Sequence, residues 1–319
     1  MFNANDSYWL TNTEELLTGF SPLQGPEAVP QSPRTRTNAE LLGEATDIWS
    51  AQNVQAAIFS DRSVLAELLR EPLVDACGAT STVDVDGTEV DVSAACAALA
   101  GWDGTYTLDA VGAIVFREWL AKFSEVDRTD AGRLFADSFD PADPADTPSQ
   151  PVSDRSDWMV ELGRVVQHLD DVGIPVDTPL REYQWEIRTG ETIPLHGGTN
   201  VDGTANIVDC CANDTMTTTY ADPGTPVDGS VLLRADSAGG PIGYPINRGA
   251  SFVMALQFTN QGPQGIAQLT YGNPDDPSDP IFDKGMLGFS NSELRTLYFL
   301  PEQVTATGFE AVTVSGSDT

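Results

Sequence analysis

Two histidines, four cysteines and 48 carboxylates are the side chains from which this chain could build a reactive site. Their spacing excludes more than it supports. There is no Gly-x-Ser-x-Gly elbow, no His-Glu-x-x-His helix, no Walker loop and no Gly-x-Gly-x-x-Gly turn, so the common nucleophile, zinc and phosphate frameworks are absent. His168 and His196 leave few ways to assemble a Ser-His-Asp relay. His196-Gly197-Gly198 has the composition of an oxyanion loop, but without a nucleophile elbow it reads as a structural turn. Carboxylate pairs are too numerous for any one pair to be informative. Asn3, Asn5 and Asp6 sit in a loop where Asn and Asp side chains cap their own backbone, which by itself means a turn.

The cysteines Cys77, Cys96, Cys210 and Cys211 form no Cys-x-x-Cys, and with two histidines a zinc site is not supported. Cys77 and Cys96 close a short loop, where a disulfide would stabilise by roughly 3 kcal/mol. In an exported protein they would bridge, and otherwise they stay thiols. The adjacent Cys210 and Cys211 read as buried thiols.

Acidic residues outnumber basic ones 48 to 16, a net charge of −32, and only Lys122 and Lys284 are lysines. Such a charge repels nucleic acid and anionic lipid, so neither is expected as a partner. Carboxylates spread along the chain, with Arg favoured over Lys, fit a soluble acidic surface tolerated at high salt. No apolar run is long enough to span a membrane, and no signal peptide is visible at Met1–Asp6.

These residues must be positioned by surrounding elements. Residues 1–33 read as loop and turn. Apolar spacing predicts helices over about 35–52, 54–70 (stopped by Pro72), 93–100, 109–124 and 156–172, the last capped by Ser156 and ended by Gly173 and Pro175. Alternating valines around Asp86-Gly87 predict a β-hairpin over 82–91, preferred to a calcium loop. Asp137–Asp154, rich in Asp, Pro and Ser, reads as a flexible acidic surface insertion. Beyond about 183 the texture turns to β, with strands at 251–258 and 265–271. Helices first and strands later imply an α+β layout, with a mostly helical region at 1–182 and a β-rich region at 183–319, together one incomplete domain.

Several short strings occur in a fixed order. They are Asn3-Ala-Asn5-Asp6-Ser-Tyr-Trp9, Gly19-Phe-Ser-Pro22 and Arg34-Thr-Arg36, then Gly101-Trp-Asp-Gly104 with Gly112-Ala-Ile-Val-Phe-Arg117. Leu195-His-Gly-Gly198 with Asp202-Gly-Thr-Ala-Asn206 follows, then Pro245-Ile-Asn-Arg-Gly-Ala-Ser-Phe-Val-Met254 and Leu269-Thr-Tyr-Gly272 with Asp276-Pro-Ser-Asp-Pro280. In this order they resemble the penicillin acylase family, in particular its branch that cleaves acyl-homoserine lactones and lipopeptides.

The resemblance implies part of an αββα sandwich of the N-terminal-nucleophile hydrolases and hydrolysis of a linear amide C–N bond. In that family an amino-terminal Ser attacks the carbonyl, with its own α-amino group as base, since such an amine has a reference pKa near 8. By the resemblance, Asn5 supplies the side-chain amide of the oxyanion hole, and Arg34, with Arg36 as rival, orients Asn5 and the substrate. The family nucleophile would lie upstream of Met1, so none is assigned in this chain, which reads as the carboxy-terminal half of the β-chain and as inactive alone. The implied partners are the upstream β-chain segment, the α-chain and a small N-acyl amide with an apolar acyl group. The family's calcium ligands lie mostly upstream and no metal is placed here. The full-length enzyme would be extracellular or in a periplasm-equivalent space. A non-catalytic binding or structural module on the same scaffold is the alternative.

Overall fold

The computed structural model describes residues 1–44, 49–186, 192–209, 224–234, 241–272, 274, 276, 278–308 and 313. Cys210 and Cys211 lie outside them. The chain is α+β. Helices α1 (Pro33–Gly43), α2 (Ala51–Ile58) and α3 (Val64–Cys77) come first. A hairpin of β1 (Thr82–Val85) and β2 (Thr88–Asp91) follows, then α4 (Ser93–Gly101), α5 (Ala113–Leu120), α6 (Glu125–Thr129) and α7 (Ser156–Asp171).

The hairpin forms where alternating valines and Asp-Gly place it. Asp86 and Gly87 have φ of 53° and 88°, the left-handed pair that a two-residue turn requires. Val83, Val85 and Val90 point into the core. Gly163 of α7 sits directly on this hairpin, where a Cβ would come within 2.5 Å of Val83 Cγ2 and 2.6 Å of Val85 Cγ2. Close approach is the reason for glycine there.

Three helix expectations need correction. The helix expected over 35–52 ends at Gly43, and α2 starts only at Ala51. Pro72 does not stop a helix but lies inside α3. The break falls earlier, at Phe59–Ser63, where buried Asp61 turns the chain with φ 52°. Ser156 does not cap α7, because it is the first helical residue and its N–H is taken by Asp154 Oδ1 at 3.0 Å. Gly173 ends that helix with φ 75°, as expected.

The principal core joins α3, α4, α5, α7 and the hairpin. Trp102, Phe116, Trp119 and Trp158 pack as successive aromatic neighbours with ring centroids 5.2–5.5 Å apart. Every residue of α5 is buried, including Arg117 and Glu118.

Cys77 and Cys96 are joined by a disulfide that ties the end of α3 to α4. Replacing both with Ser should lower stability by about 3 kcal/mol through the freed unfolded chain. Urea titration checks this, and an unchanged midpoint would show that the crosslink contributes nothing.

Beyond α7 the elements are strands: β3 (Gln184–Glu186), β4 (Ile193–Pro194), β5 (Val208–Asp209), β6 (Thr225–Pro226), β7 (Leu233–Arg234), β8 (Ile242–Ile246), β9 (Arg248–Gly249), β10 (Phe252–Thr259), β11 (Gly262–Leu269) and β12 (Arg295–Leu297). Helices α8 (Lys284–Ser290) and α9 (Pro301–Ala306) flank the last of them. A five-stranded sheet has the order β4-β3-β8-β7-β6, a three-stranded sheet the order β10-β11-β12, and β5 pairs with β9. Pairing is antiparallel, as expected, except between β3 and β8, which run parallel. The expected 251–258 and 265–271 strands form β10 and β11, joined by a tighter turn in which Thr259 faces Gly262. A second, smaller core of Ile193, Leu195, Val208, Ile246, Val253, Met286 and Phe289 lies between these strands and α8.

The acidic segment 137–154 is pinned rather than loose. Arg36 Nη1 donates to Pro148 O at 2.6 Å, Gln31 to Pro144 O, and Phe139 packs edge-on against Trp9. A buried guanidinium needs acceptors, and this loop's carbonyl provides one. Among the described residues no helix is long and apolar enough to cross a membrane.

Candidate active site

Residues 1–32 hold only two 3-10 turns, at Tyr8–Leu10 and Pro22–Gln24, yet they are closely bonded. Glu27 accepts from the Tyr8 hydroxyl and from the N–H groups of Gly19 at 2.8 Å and Phe20 at 2.9 Å, binding the first two strings together. The Tyr8 bond and these two amides hold the Glu27 carboxyl below its usual range.

Asp6 fixes the start of α1. Its Oδ2 accepts from Ser32 N at 2.8 Å, Ser32 Oγ at 2.7 Å and the Thr35 hydroxyl, so the first turn of the helix is tied to the loop beside Asn5. Ser32 itself caps the helix, with Pro33 at its first position. Arg34, one residue later, is buried and turns back onto the same loop. Its Nη2 donates to Ala4 O and to Asn5 Oδ1 at 2.9 Å, and its Nε donates to Asn200 Oδ1 at 2.8 Å.

This geometry sets the direction of the Asn5 amide. A guanidinium can only donate, so the oxygen of Asn5 must face Arg34 and the NH₂ group must face away. Asn5 is exposed, has φ 71° and is held locally by its N–H donating to Asn3 Oδ1 at 2.9 Å. Burial lowers the Arg34 guanidinium, opposed by the nearby Asp6 carboxylate; an arginine remains charged at neutral pH regardless.

Arg36 does not join this group. It points to the opposite side of α1, toward Pro148 O, and lies 3.6 Å from Glu40. Two residues of helix turn Arg34 and Arg36 to different faces, so of the two arginines singled out in the sequence only Arg34 touches Asn5.

Asn200 was not foreseen. It sits in a turn built by Asp202, whose Oδ2 accepts Thr199 N at 2.7 Å. The turn lies on the start of α1: a Cβ at Gly203, φ 83°, would meet Pro33 Cβ at 2.9 Å. Asp202 is anchored in turn by Arg117, Nε to Oδ2 at 3.0 Å and Nη2 to Oδ2 at 2.9 Å. Arg117 also donates from Nη1 to Gln184 Oε1 at 2.8 Å and lies against the rings of Tyr106 and Tyr244. The site thus rests on α5 through a buried ion pair. The only signal in the sequence was that Arg117 and Asp202 each belonged to an ordered string.

Beyond Asn200 a cavity of about 560 Å³ opens, with Val201, Leu233 and Ile246 on its apolar side and Arg117 and Tyr244 at its polar side. Its volume is in the range of small-molecule sites.

His196 is not in a turn. It lies two residues beyond β4 and is buried, with Nδ1 2.7 Å from Asp61 Oδ2 and Nε2 3.1 Å from Phe289 O and 3.0 Å from Ser292 Oγ. The residues are those of a Ser-His-Asp relay, but Phe289 O can only accept, so Nε2 carries a proton and cannot take one from Ser292. The group joins the α2–α3 turn, β4 and α8. Burial alone would lower His196, but the Asp61 hydrogen bond and charge, with Phe289 O, hold it above its ordinary 6.5. A raised folded value means the native state binds this proton more tightly than the unfolded chain. The contribution is therefore complete below about pH 6.5 and is lost as pH rises through the raised value. The melting temperature of the parent should fall more steeply across that window than that of His196→Gln, and equal slopes would discount the pair.

The penicillin amidase family profile matches residues 1–306. The chain belongs to the penicillin amidase family. Membership carries the N-terminal-nucleophile hydrolase fold, with which the α+β make-up of this chain is consistent. Among relatives, the aculeacin-A acylase of Actinoplanes utahensis is 29% identical over 314 residues, 95% of this chain and 35% of that protein. The acyl-homoserine lactone acylases PvdQ of Pseudomonas syringae pv. syringae and Pseudomonas fluorescens (strain Pf0-1) are 25% and 22% identical, again over 95% of this chain and 35% of theirs. This penicillin amidase chain therefore spans about a third of the length of the curated relatives it matches. Family members can hold calcium, but among the described residues no three His, Cys, Asp or Glu side chains cluster to bind a metal ion.

Proposed function

We infer that this chain supplies the oxyanion-binding side of an N-acyl amide hydrolase, with the nucleophile contributed by polypeptide outside it. The observation that carries this reading is the Arg34–Asn5 bond, because it leaves the Asn5 amide N–H facing outward with no acceptor among the described contacts. In the reaction, a Ser hydroxyl adds to the amide carbonyl carbon and gives its proton to the neighbouring α-amino base. The carbonyl electron pair moves onto oxygen, where Asn5 Nδ2–H donates to the developing charge. Collapse of the tetrahedral species expels the amine, which takes the proton, and water then releases the acid.

Two further features support the reading. The cavity beyond Asn200 offers an apolar wall for an acyl chain or the departing group. The Cys77–Cys96 bridge suits an oxidising compartment, in keeping with an extracellular or periplasm-equivalent enzyme. The named activities of the relatives, on aculeacin A and acyl-homoserine lactones, set the substrate class to try first.

The test is to produce the chain together with the acylase-family polypeptide of its own source and assay fatty-acid release from N-acyl-homoserine lactones and a lipopeptide. Amide cleavage by the assembly, absent from the chain alone, is expected. An assembly inert toward every N-acyl amide tried would overturn the assignment.

A further inference from the structure

In so acidic a chain an arginine ordinarily finds a carboxylate. Eight of them lie within 3.6 Å of a carboxylate oxygen. Arg128 does not, and it borders the cavity of about 560 Å³ beyond Asn200. Ser124 caps α6 in a reciprocal pair of bonds with Asp127, and Arg128 N donates to Ser124 O at 3.2 Å. From that turn the half-buried side chain folds back, and its Nη1 donates to Phe123 O. Among the described residues no carboxylate forms an ion pair with it. Burial lowers its guanidinium, opposed through space by the charges of Glu125 and Asp127.

The other charges on the cavity wall are matched. Arg117 is committed to Asp202 at 2.9 Å, and Asp209 accepts from Arg248. The hydroxyls of Ser230 and Tyr244 both donate to Glu118, at 2.7 Å and 2.8 Å, so neither has a proton left for a ligand. Glu118 itself does not line the cavity. Phe123, Val201, Val231, Leu232, Leu233 and Ile246 supply apolar wall. An apolar chamber with one unmatched cation suits a molecule with a hydrocarbon body and a single negative end.

We propose that this cavity binds an apolar monocarboxylate, its head group paired with Arg128 and its hydrocarbon lying along Val201, Leu233 and Ile246. A guanidinium meets a carboxylate fork to fork, whereas a neutral molecule of equal length leaves the cation without a counterion. Arg128 also borders a smaller cavity of about 190 Å³, but Asp6 and Glu125 on that wall disfavour an anion there. The ligand class follows from the larger cavity alone. Two sources share this chemistry: a free fatty acid from solution, or the acid released from an N-acyl amide, which rests on the functional reading above.

The experiment titrates decanoate, below its micelle concentration, into the full chain by calorimetry, with decanol and acetate as controls. Saturable binding of one decanoate per chain is expected, with both controls at least about tenfold weaker, since each lacks either the charge or the hydrocarbon. Arg128→Gln should weaken decanoate at least about tenfold and leave decanol unchanged, and Val231→Trp, which fills the chamber, should weaken both. Circular dichroism matching the parent shows that each variant is folded. Decanoate affinity unaffected by Arg128→Gln, equal to that of decanol or acetate, or absent from the folded parent would overturn the site. In the assembled enzyme, inhibition of decanoyl-homoserine lactone cleavage by added decanoate, relieved in Arg128→Gln, identifies the released acid as the occupant. Binding without inhibition assigns the site to fatty acid from solution. An assembly inert toward N-acyl amides whose cavity still takes decanoate through Arg128 defeats the functional reading and leaves the site standing.

Discussion

Asn5→Ala should reduce amide hydrolysis by the assembled enzyme by roughly 10²–10³-fold while leaving the fold intact. The magnitude follows from the role proposed for the side chain. Charge on the carbonyl oxygen is largest in the tetrahedral species, so a donor aimed at that position stabilises the transition state far more than the bound substrate. The loss should therefore fall on kcat with little change in KM. Asn5 is exposed and, among the described residues, its side chain meets Arg34 beyond its own loop; Arg34 keeps Ala4 O and Asn200 Oδ1 as acceptors, so the fold should persist with at most a small drop in melting temperature. Activity at the parent level in Asn5→Ala would remove the oxyanion role.

The second large effect concerns stability. Arg117→Met should cost about 3–5 kcal/mol, because it strands the Asp202 carboxylate in a site that is almost fully closed to water. Arg117 and Asp202 are 5% and 1% exposed. Burial by itself would lower the Arg117 guanidinium, and the Asp202 charge instead holds it above its ordinary range, as expected for a pair that must stay ionised together. Replacing both partners, as Arg117→Met with Asp202→Leu, should recover much of the loss, since two apolar residues leave no charge unmatched. Urea denaturation of the parent and these two variants measures this. A single variant that unfolds at the parent midpoint would show that the pair contributes nothing.

Local features were the most legible in the sequence. The Asp86-Gly87 hairpin, the end of α7 at Gly173 and the β10–β11 pair all depend on residues that are neighbours in the chain, so spacing alone reveals them. Pro72 misled because a single proline says nothing about the packing of the helix around it, and the actual break depended on Asp61, whose histidine partner is far along the chain. Asn5 and Arg34 were singled out through ordered strings, not through any property of an Asn-rich loop. Choosing between Arg34 and Arg36 needed the structure, since two positions on one helix face different neighbours. Asn200, Arg117 and Asp202 form the support beneath the site, and contacts spanning such distances in sequence leave no local trace.

Helix α1 carries two obligations at once. One arginine orients the Asn5 amide, and the other, two positions on, is satisfied by a main-chain oxygen of the 137–154 segment. Shortening that segment would strip a desolvated cation of its acceptor, at a cost that a single compensating change at position 36 could remove. Homologous enzymes that differ in the length of this excursion should accordingly differ at the residue matching Arg36 as well, while keeping the one matching Arg34: insertion history and the identity of one helix residue are inherited as a pair.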